Sequence, residues 1–219
     1  MDFKLILSFL TNLQENNNKE WFDANRNTYE KARLEWINFA TESIDAVGSF
    51  DKDIAVLEPK KCIFRINRDV RFSKNKAPYK NNFGLSLNKG GKRADFCGYY
   101  LHLQPGASFI AGGAYGPMPD KLAAIRQEID YNAKEFEEIV NHKNFKKHFG
   151  TLGGEALQRP PKGYEADNPM VNFLKHKSFI GQYSVSDKEL YAPDFMENMV
   201  EKFKAMQPLI EFLNRAIAG

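Results

Sequence analysis

The hydrophobic pattern of this chain changes its period along the sequence, and the positions of those changes restrict the possible folds. Apolar residues recur at helical spacing over residues 3–48, and again over most of the chain after residue 119. Residues 60–114 instead show the alternation and the β-branched and aromatic enrichment that are typical of strands. Because strands and helices are segregated rather than alternating, the pattern predicts an α+β fold, in which helices pack on an antiparallel sheet.

The central region contains four predicted strands separated by turn signals, and the sheet is expected to have about four to six strands. The predicted strands cover residues 61–66, 83–87, 96–104 and 107–111. Gly90 and Gly91 predict a hairpin turn, because glycine adopts positive φ without strain.

The two ends of the chain carry the clearest helical patterns. A first helix is predicted near residues 3–15, and Asn18 is expected to cap a longer helical stretch that ends at Gly48. An apolar face from Phe195 to Ile217 predicts a long C-terminal amphipathic helix. Pro208 falls inside it and is expected to kink or split the helix.

Composition limits the class of protein. The chain has 219 residues, of which 42% are hydrophobic and 27% charged, so we expect one α+β domain over residues 1–219. No apolar run approaches the roughly 20 residues of a membrane-spanning helix, so we expect no membrane partner. Cys62 and Cys97 lie among apolar neighbours and are predicted to be buried thiols. With no signal-peptide pattern at the N-terminus, the expected location is cytoplasmic.

The net charge of +3 conceals two opposed regions. Residues 60–93 contain eleven Lys or Arg and a single acid, Asp69, so this segment carries +10 and the rest of the chain carries −7. Such an asymmetry predicts a local positive field that attracts an anion.

The densest basic stretch supplies the candidate ligand-binding residues. Arginine offers a planar fork for phosphate or carboxylate, and the lone Asp69 is expected to hold one or two guanidinium groups in place. That pairing favours ionised Asp69, which makes it a poor general acid. The predicted ligand-binding residues are Arg65, Arg68, Asp69, Arg71, Lys76, Tyr79 and Lys80.

Three functions fit this pattern. The first is binding of an anionic, phosphate-bearing ligand, namely a nucleotide, a phosphate ester or a nucleic acid, through residues 65–80. The second is an enzyme acting on a phosphate- or carboxylate-bearing substrate, with Asp69 or Asp167 as acid/base or orienter. The third is a structural or interaction module, in which the basic segment pairs with acidic surface and the arginines close a loop.

Other chemistry has little support in the sequence. The four histidines and two cysteines do not show zinc-ligand spacing, so no metal site is predicted. The phosphate-loop and dinucleotide-binding glycine motifs are missing, so no cofactor is predicted. The sequence leaves the catalytic residues, the reaction and the oligomeric state open.

The basic stretch also carries a family resemblance. The pattern Arg65-x-x-Arg68-Asp69-x-Arg71-Phe72, followed by Asn75-Lys76-x-x-Tyr79, resembles the signature of the family called domain of unknown function 2461. The resemblance extends along nearly the whole chain, through blocks at residues 17–22, 111–117, 161–164 and 167–169. It implies a single α+β protein of about this size, and it implies no known activity.

Overall fold

A computed structural model describes residues 1–92 and 94–219. Arg93, which belongs to the basic segment, lies outside the described residues. The N-terminal helices are α1 (Phe3–Glu15), α2 (Lys19–Ala24), α3 (Arg26–Gly48), α4 (Lys52–Ala55) and α5 (Pro59–Cys62). Next come strands β1 (Phe83–Asn88), β2 (Gly98–Leu103) and β3 (Ser108–Ala114), and helices α6 (Pro119–Tyr131), α7 (Ala133–Asn141), α8 (Lys143–Phe149) and α9 (Val171–Leu174). Strand β4 (Phe179–Val185) and helices α10 (Asp187–Leu190) and α11 (Phe195–Ala218) complete the order.

The four strands form one antiparallel sheet in the order β1-β2-β3-β4, so the predicted α+β class is confirmed. Leu101 on β2 lies opposite Leu85 on β1 and Ile110 on β3, and these three buried side chains share one face of the sheet. Because successive side chains of a strand alternate in direction, Tyr100 and His102 lie on the other face.

Helix α11 packs on the buried face. Its Met206 comes so close to β3 that a Cβ on Gly112 would overlap the Met206 sulfur, which explains the glycine at that position. The helix is continuous from Phe195 to Ala218, and Pro208 does not split it. The apolar residues around Pro208, including Met206, Leu209 and Ile210, are buried, and this packing outweighs the hydrogen bond that proline removes.

Irregular segments pair with both edges of the sheet. At β1, Ile63 bridges Leu85 and the Phe64 amide donates to the Gly84 carbonyl at 3.2 Å. At β4, the Gly153 amide donates to the Ile180 carbonyl at 2.7 Å. Each edge strand therefore has a partner for part of its length.

Several predicted elements differ from the structure. The predicted strand at residues 61–66 is wrong, because Pro59 begins the short helix α5 and Ile63 forms only an isolated bridge. The buried side chains of residues 61–66 pack in the core, although the backbone of this segment does not form a ladder of hydrogen bonds with the sheet. Strand β4 was not predicted, because it lies within a region whose flanks have helical periodicity. The predicted long N-terminal helix is divided at Asn25 into α2 and α3.

No helix in the described residues combines the length and the apolar character needed to cross a membrane.

Candidate functional site

Residues 65–80, which we call the motif loop, form a closed hairpin-like turn rather than an extended strand. Asn67 and Tyr79 form an isolated antiparallel bridge. The Arg68 amide donates to the Pro78 carbonyl at 2.9 Å, and the Lys80 amide donates to the Ile66 carbonyl at 2.8 Å. These contacts fix the two ends of the loop side by side, so the candidate residues project from a defined backbone.

Arg68 lies half-buried inside the motif loop. Its Nη1 donates to the Ala77 carbonyl at 2.9 Å and its Nη2 donates to the Ser73 hydroxyl at 3.3 Å. Both acceptors are neutral, so they hold the guanidinium in position without cancelling its charge. An oriented but uncompensated cation is suited to bind an anion.

Asp69 and Arg71 form an exposed two-pronged ion pair. Arg71 Nε donates to Asp69 Oδ1 at 3.0 Å and Arg71 Nη2 donates to Asp69 Oδ2 at 2.7 Å. These hydrogen bonds lower the pKa of the Asp69 carboxyl below its ordinary value of 3.8. Asp69 therefore holds one guanidinium, Arg71, and stays ionised.

The tip of the motif loop is closed by Lys76 and exposes an aromatic ring. Lys76 Nζ donates to the Val70 carbonyl at 3.1 Å. Phe72 is 96% exposed, with the Arg71 guanidinium 5.9 Å from its ring centre. Lys76 thus supports the backbone of the tip.

Tyr79 is buried, and its ring is part of the packing between the motif loop and α2. The ring stacks on Phe22 with 4.0 Å between ring centres. The side-chain amide of Asn17 accepts from the Tyr79 amide and donates to the Tyr79 carbonyl, both at 3.0 Å. The loop is anchored to the N-terminal helices through this residue.

Lys80 and Arg65 lie at the base of the loop, beside Phe64. The Lys80 ammonium is 5.3 Å from the centre of the Phe64 ring. Burial lowers the pKa of Lys80 below its ordinary value of 10.5, and the positive charges of Arg65 and Lys92 lower it further. Arg65 is exposed. Three cations therefore come close enough to repel one another at this point.

A cavity of about 440 Å³ borders the motif loop. Arg68 and Lys80 contribute cations to its lining. The lining also includes Tyr79 and five residues that carry side-chain amides, namely Gln14, Asn17, Asn75, Asn81 and Asn82. We call this space the amide cavity; its lining combines cations with neutral hydrogen-bonding groups.

A larger cavity of about 690 Å³ lies over the outer face of the sheet, and we call it the sheet cavity. Its aromatic lining includes Phe64, Tyr100 and Phe109. Tyr100, Phe109, Ser86 and Gln182 are not among the residues predicted from the sequence, and all four line this cavity. The alternation along β2, which places Tyr100 out of phase with the buried Leu101, is the sequence signal that indicates this face.

Tyr100 and His102 are linked on the outer face. Tyr100 Oη lies 3.2 Å from His102 Nδ1, and His102 Nε2 lies 2.9 Å from Gln104 Oε1. Burial raises the pKa of Tyr100 to about 12 and lowers that of His102 below its ordinary value of 6.5. Both groups are therefore neutral at pH 7, with the phenol donating to the imidazole when Nε2 carries the ring proton.

Other candidate groups lie apart from these cavities. Asp167 is exposed on the loop before α9 and lines neither the amide cavity nor the sheet cavity. Cys62 and Cys97 are both buried free thiols, as predicted. Among the residues that the structure describes, no three His, Cys, Asp or Glu side chains are grouped to hold a metal ion.

A model of the family described as conserved hypothetical protein (DUF2461) matches residues 5–212. The chain belongs to the DUF2461 family. No curated protein and no solved structure matches the chain. The DUF2461 match includes the motif loop and all four strands, so both cavities lie within the matched region.

Proposed function

We propose that this DUF2461 protein binds a phosphate-bearing anion at the motif loop, through Arg65, Arg68 and Lys80. The observation that carries the proposal is that no carboxylate pairs with any of these three cations in the described part of the chain. Arg68 is nevertheless held by two hydrogen bonds and Lys80 is partly buried. Cations that are positioned but not neutralised favour an external anion.

The alternative, in which the basic segment pairs with the chain's own acids, has less support. Within residues 60–89 of the described chain, the ion pairs are Lys61 with Glu58, Arg71 with Asp69, and Lys89 with Asp53. All three pairs are exposed, where an ion pair typically contributes about 0–1 kcal/mol. Arg65, Arg68 and Lys80 pair with no carboxylate of the described residues, so these three cations are left for a ligand.

The lining of the amide cavity suits a phosphate. A guanidinium carries five N–H donors, and the structure assigns Arg68 two hydrogen bonds within the loop. Lys80 adds a second charge to the same lining, and the neighbouring amides supply further donors. A phosphate bound here would accept from both cations at once.

The enzyme alternative is less well supported than binding. The Asp69 carboxylate is already engaged by Arg71, and its lowered pKa makes it a poor proton donor. Asp167 lies outside both cavities. We therefore propose binding of a nucleotide, phosphate ester or nucleic acid without assigning a reaction.

Titration calorimetry with inorganic pyrophosphate at low ionic strength tests the proposal. We expect Arg65→Gln and Lys80→Gln each to weaken binding by about tenfold, a loss of roughly 1.4 kcal/mol. Lys134→Gln is the matched control, because it removes one charge from an exposed position on α7. Absence of pyrophosphate binding by the unaltered protein, or equal losses in all three variants, would contradict the proposal.

A salt titration distinguishes a nucleic acid ligand from a small phosphate-bearing ligand. Binding of a mixed oligonucleotide that weakens steeply with salt would support nucleic acid, because counterions are released when phosphates are neutralised. Failure to bind the oligonucleotide at low salt, with pyrophosphate still bound, would limit the ligand to small phosphates.

A further inference from the structure

The outer face of the sheet is unusual in its chemistry. An antiparallel sheet commonly has one face on the core and one polar face in water. Here the outer face carries the half-exposed rings of Tyr100 and Phe109, and Phe64 borders it. The cavity over this face has about 690 Å³, within the roughly 300–1,000 Å³ of small-molecule sites.

The aromatic rings are adjacent, and together they form a platform of tilted rings rather than one flat surface. The centres of Phe64 and Tyr100 are 6.2 Å apart with the ring planes at 77°, and those of Tyr100 and Phe109 are 5.8 Å apart with the ring planes at 50°. Gly84 permits this arrangement, because a Cβ there would lie 2.8 Å from Tyr100 Oη and 3.0 Å from Phe64 Cδ2. Aromatic side chains of this kind stack with planar rings largely independently of the ring's identity.

Small residues deepen the cavity beside that platform. Gly98, Ala111 and Gly113 lie on the outer face of β2 and β3 and line the cavity. With little side chain above the backbone, a flat ring can approach the sheet closely. A bulky, branched apolar ligand would fit this shape less well than a planar one.

Polar groups at the cavity wall suit the edge of such a ring. Gln182 lies on the outer face of β4, and its side-chain amide offers a donor and an acceptor side by side. Ser86 adds a hydroxyl, which donates to Asn88 Oδ1 at 3.1 Å and keeps lone pairs to accept. An amide of this type pairs with two atoms on the edge of a nucleobase.

The positive charge lies at one end of the platform. The Lys80 ammonium is 5.3 Å from the Phe64 ring centre, Arg65 is the next residue along the chain, and Lys92 lines the cavity itself. Lys80 lines the amide cavity, and its contact with Phe64 brings it to the border of the sheet cavity, which Phe64 lines. A ligand with an aromatic ring at one end and a phosphate at the other matches this distribution.

We infer that the ligand is a mononucleotide, whose base contacts Phe64, Tyr100 and Phe109 and whose phosphate contacts Lys80 and Arg65. The inference rests on the proposed function, and it adds an aromatic base to the phosphate-bearing ligand. Gln182 provides the contact to the base edge. The charged end favours a phosphate-bearing compound over an uncharged aromatic one.

Comparison of ligands on the unaltered protein is the main test. Calorimetry is carried out with the four ribonucleoside monophosphates, with ribose 5-phosphate and with the corresponding nucleosides. We expect at least one nucleotide to bind more than tenfold more tightly than ribose 5-phosphate, and more than tenfold more tightly than its own nucleoside.

Two variants test whether the aromatic ring of the ligand binds in the sheet cavity. Phe64→Leu and Phe109→Leu are expected to weaken nucleotide binding at least fivefold. Phe109→Leu is expected to leave binding of ribose 5-phosphate unchanged, because the Lys80 ammonium lies against Phe64 rather than Phe109. Tyr131→Leu is the matched control, because it removes a 74% exposed aromatic ring that does not line this cavity. Circular dichroism and thermal unfolding establish that each variant is folded, and the ligand comparison on the unaltered protein does not depend on them.

Each of the other possible binding results would contradict a different part of the proposal. Equal affinity for the nucleotides and ribose 5-phosphate would overturn the inferred ring site and leave the proposed function intact. Binding of a nucleoside as tightly as its nucleotide would overturn the link between ring and phosphate. Much tighter binding of an oligonucleotide than of any mononucleotide would contradict the mononucleotide and indicate a nucleic acid chain as the ligand. If no phosphate-bearing compound binds, both the proposed function and this inference fail.

Discussion

The side chain of Asn17 pairs with the backbone of Tyr79 across 62 positions of the sequence, through two hydrogen bonds of 3.0 Å. Asn17 Oδ1 accepts from the Tyr79 amide, and Asn17 Nδ2 donates to the Tyr79 carbonyl. The geometry imitates a pair of neighbouring strands, although Asn17 lies in the connection between two helices. It joins the N-terminal helices to the motif loop that carries the candidate site.

Asn17→Ala is expected to destabilise the fold. It removes both hydrogen bonds and leaves a part-buried amide and carbonyl without partners, which typically costs about 1–3 kcal/mol. Urea unfolding followed by tryptophan fluorescence measures the loss. Asn16→Ala is the matched control, because it removes one exposed hydrogen bond within the end of α1. Equal losses in the two variants would contradict the anchoring role of Asn17.

Gly113→Ala is expected to be more damaging than a typical glycine substitution on the surface. Gly113 has a φ of +116°, and a Cβ at this position would overlap the carbonyl oxygen of Phe179 on β4. Strain at such a φ alone costs about 1–3 kcal/mol, and the backbone overlap adds to it. Thermal unfolding should therefore show a large fall in Tm.

Gly116→Ala provides the comparison for that prediction. Gly116 also has positive φ, at +55°, but no atom of the described residues lies within 4 Å of a Cβ added there. The expected cost is about 1 kcal/mol, from the left-handed conformation alone. A smaller fall in Tm for Gly113→Ala than for Gly116→Ala would show that the β3–β4 contact is not as close as the structure has it.

The stability of the protein is expected to fall as the pH is lowered below about 6.5. Burial lowers the pKa of His102, His148 and His176 below the ordinary value of 6.5. The unfolded chain therefore takes up protons that the folded chain excludes, so the stabilisation is complete above pH 6.5. It is lost progressively as the pH falls towards the folded-state pKa values.

Urea unfolding at pH 7.5, 6.5 and 5.5 measures this dependence. The variant His176→Gln should show a shallower fall between pH 6.5 and 5.5 than the unaltered protein, because one of the three histidines no longer titrates. An equally steep fall in this variant would assign the dependence to other groups.

The two cysteines are expected to be inert in the folded protein. Burial raises the pKa of Cys62 to about 11 and that of Cys97 to about 12, so the reactive thiolate is scarce at pH 8. A thiol reagent such as dithionitrobenzoate should label neither residue in buffer and both in concentrated urea. Rapid labelling of one thiol in the absence of urea would show that its surroundings open readily.

The sequence predicted those features that depend on neighbouring residues. Period-2 alternation identified strands β1 to β3, and the short distance along the chain between Asp69 and Arg71 made their pairing expected. The partners of Arg68 depend on the closure of the motif loop, since Ala77 lies nine positions away, and no local pattern indicates that closure.

The outer face of the sheet illustrates a second limit of prediction from the sequence. Alternation shows that Tyr100 and Leu101 point to opposite faces, but the path of α11 decides which face is buried. Tertiary packing also explains why the strand predicted at residues 61–66 is wrong. Cys62, Ile63 and Ile66 are buried as a strand would require, yet they achieve burial beside the sheet without joining its ladder.

The irregular partners at the two edges of the sheet have a consequence for self-association. An edge strand with a free row of amides and carbonyls is a template for intermolecular strand addition and amyloid-like growth. Phe64 and Gly153 each occupy one such backbone position, at Gly84 on β1 and at Ile180 on β4. Each contact fills one backbone position with which another chain could otherwise pair, so both edges offer a shorter free row for strand addition.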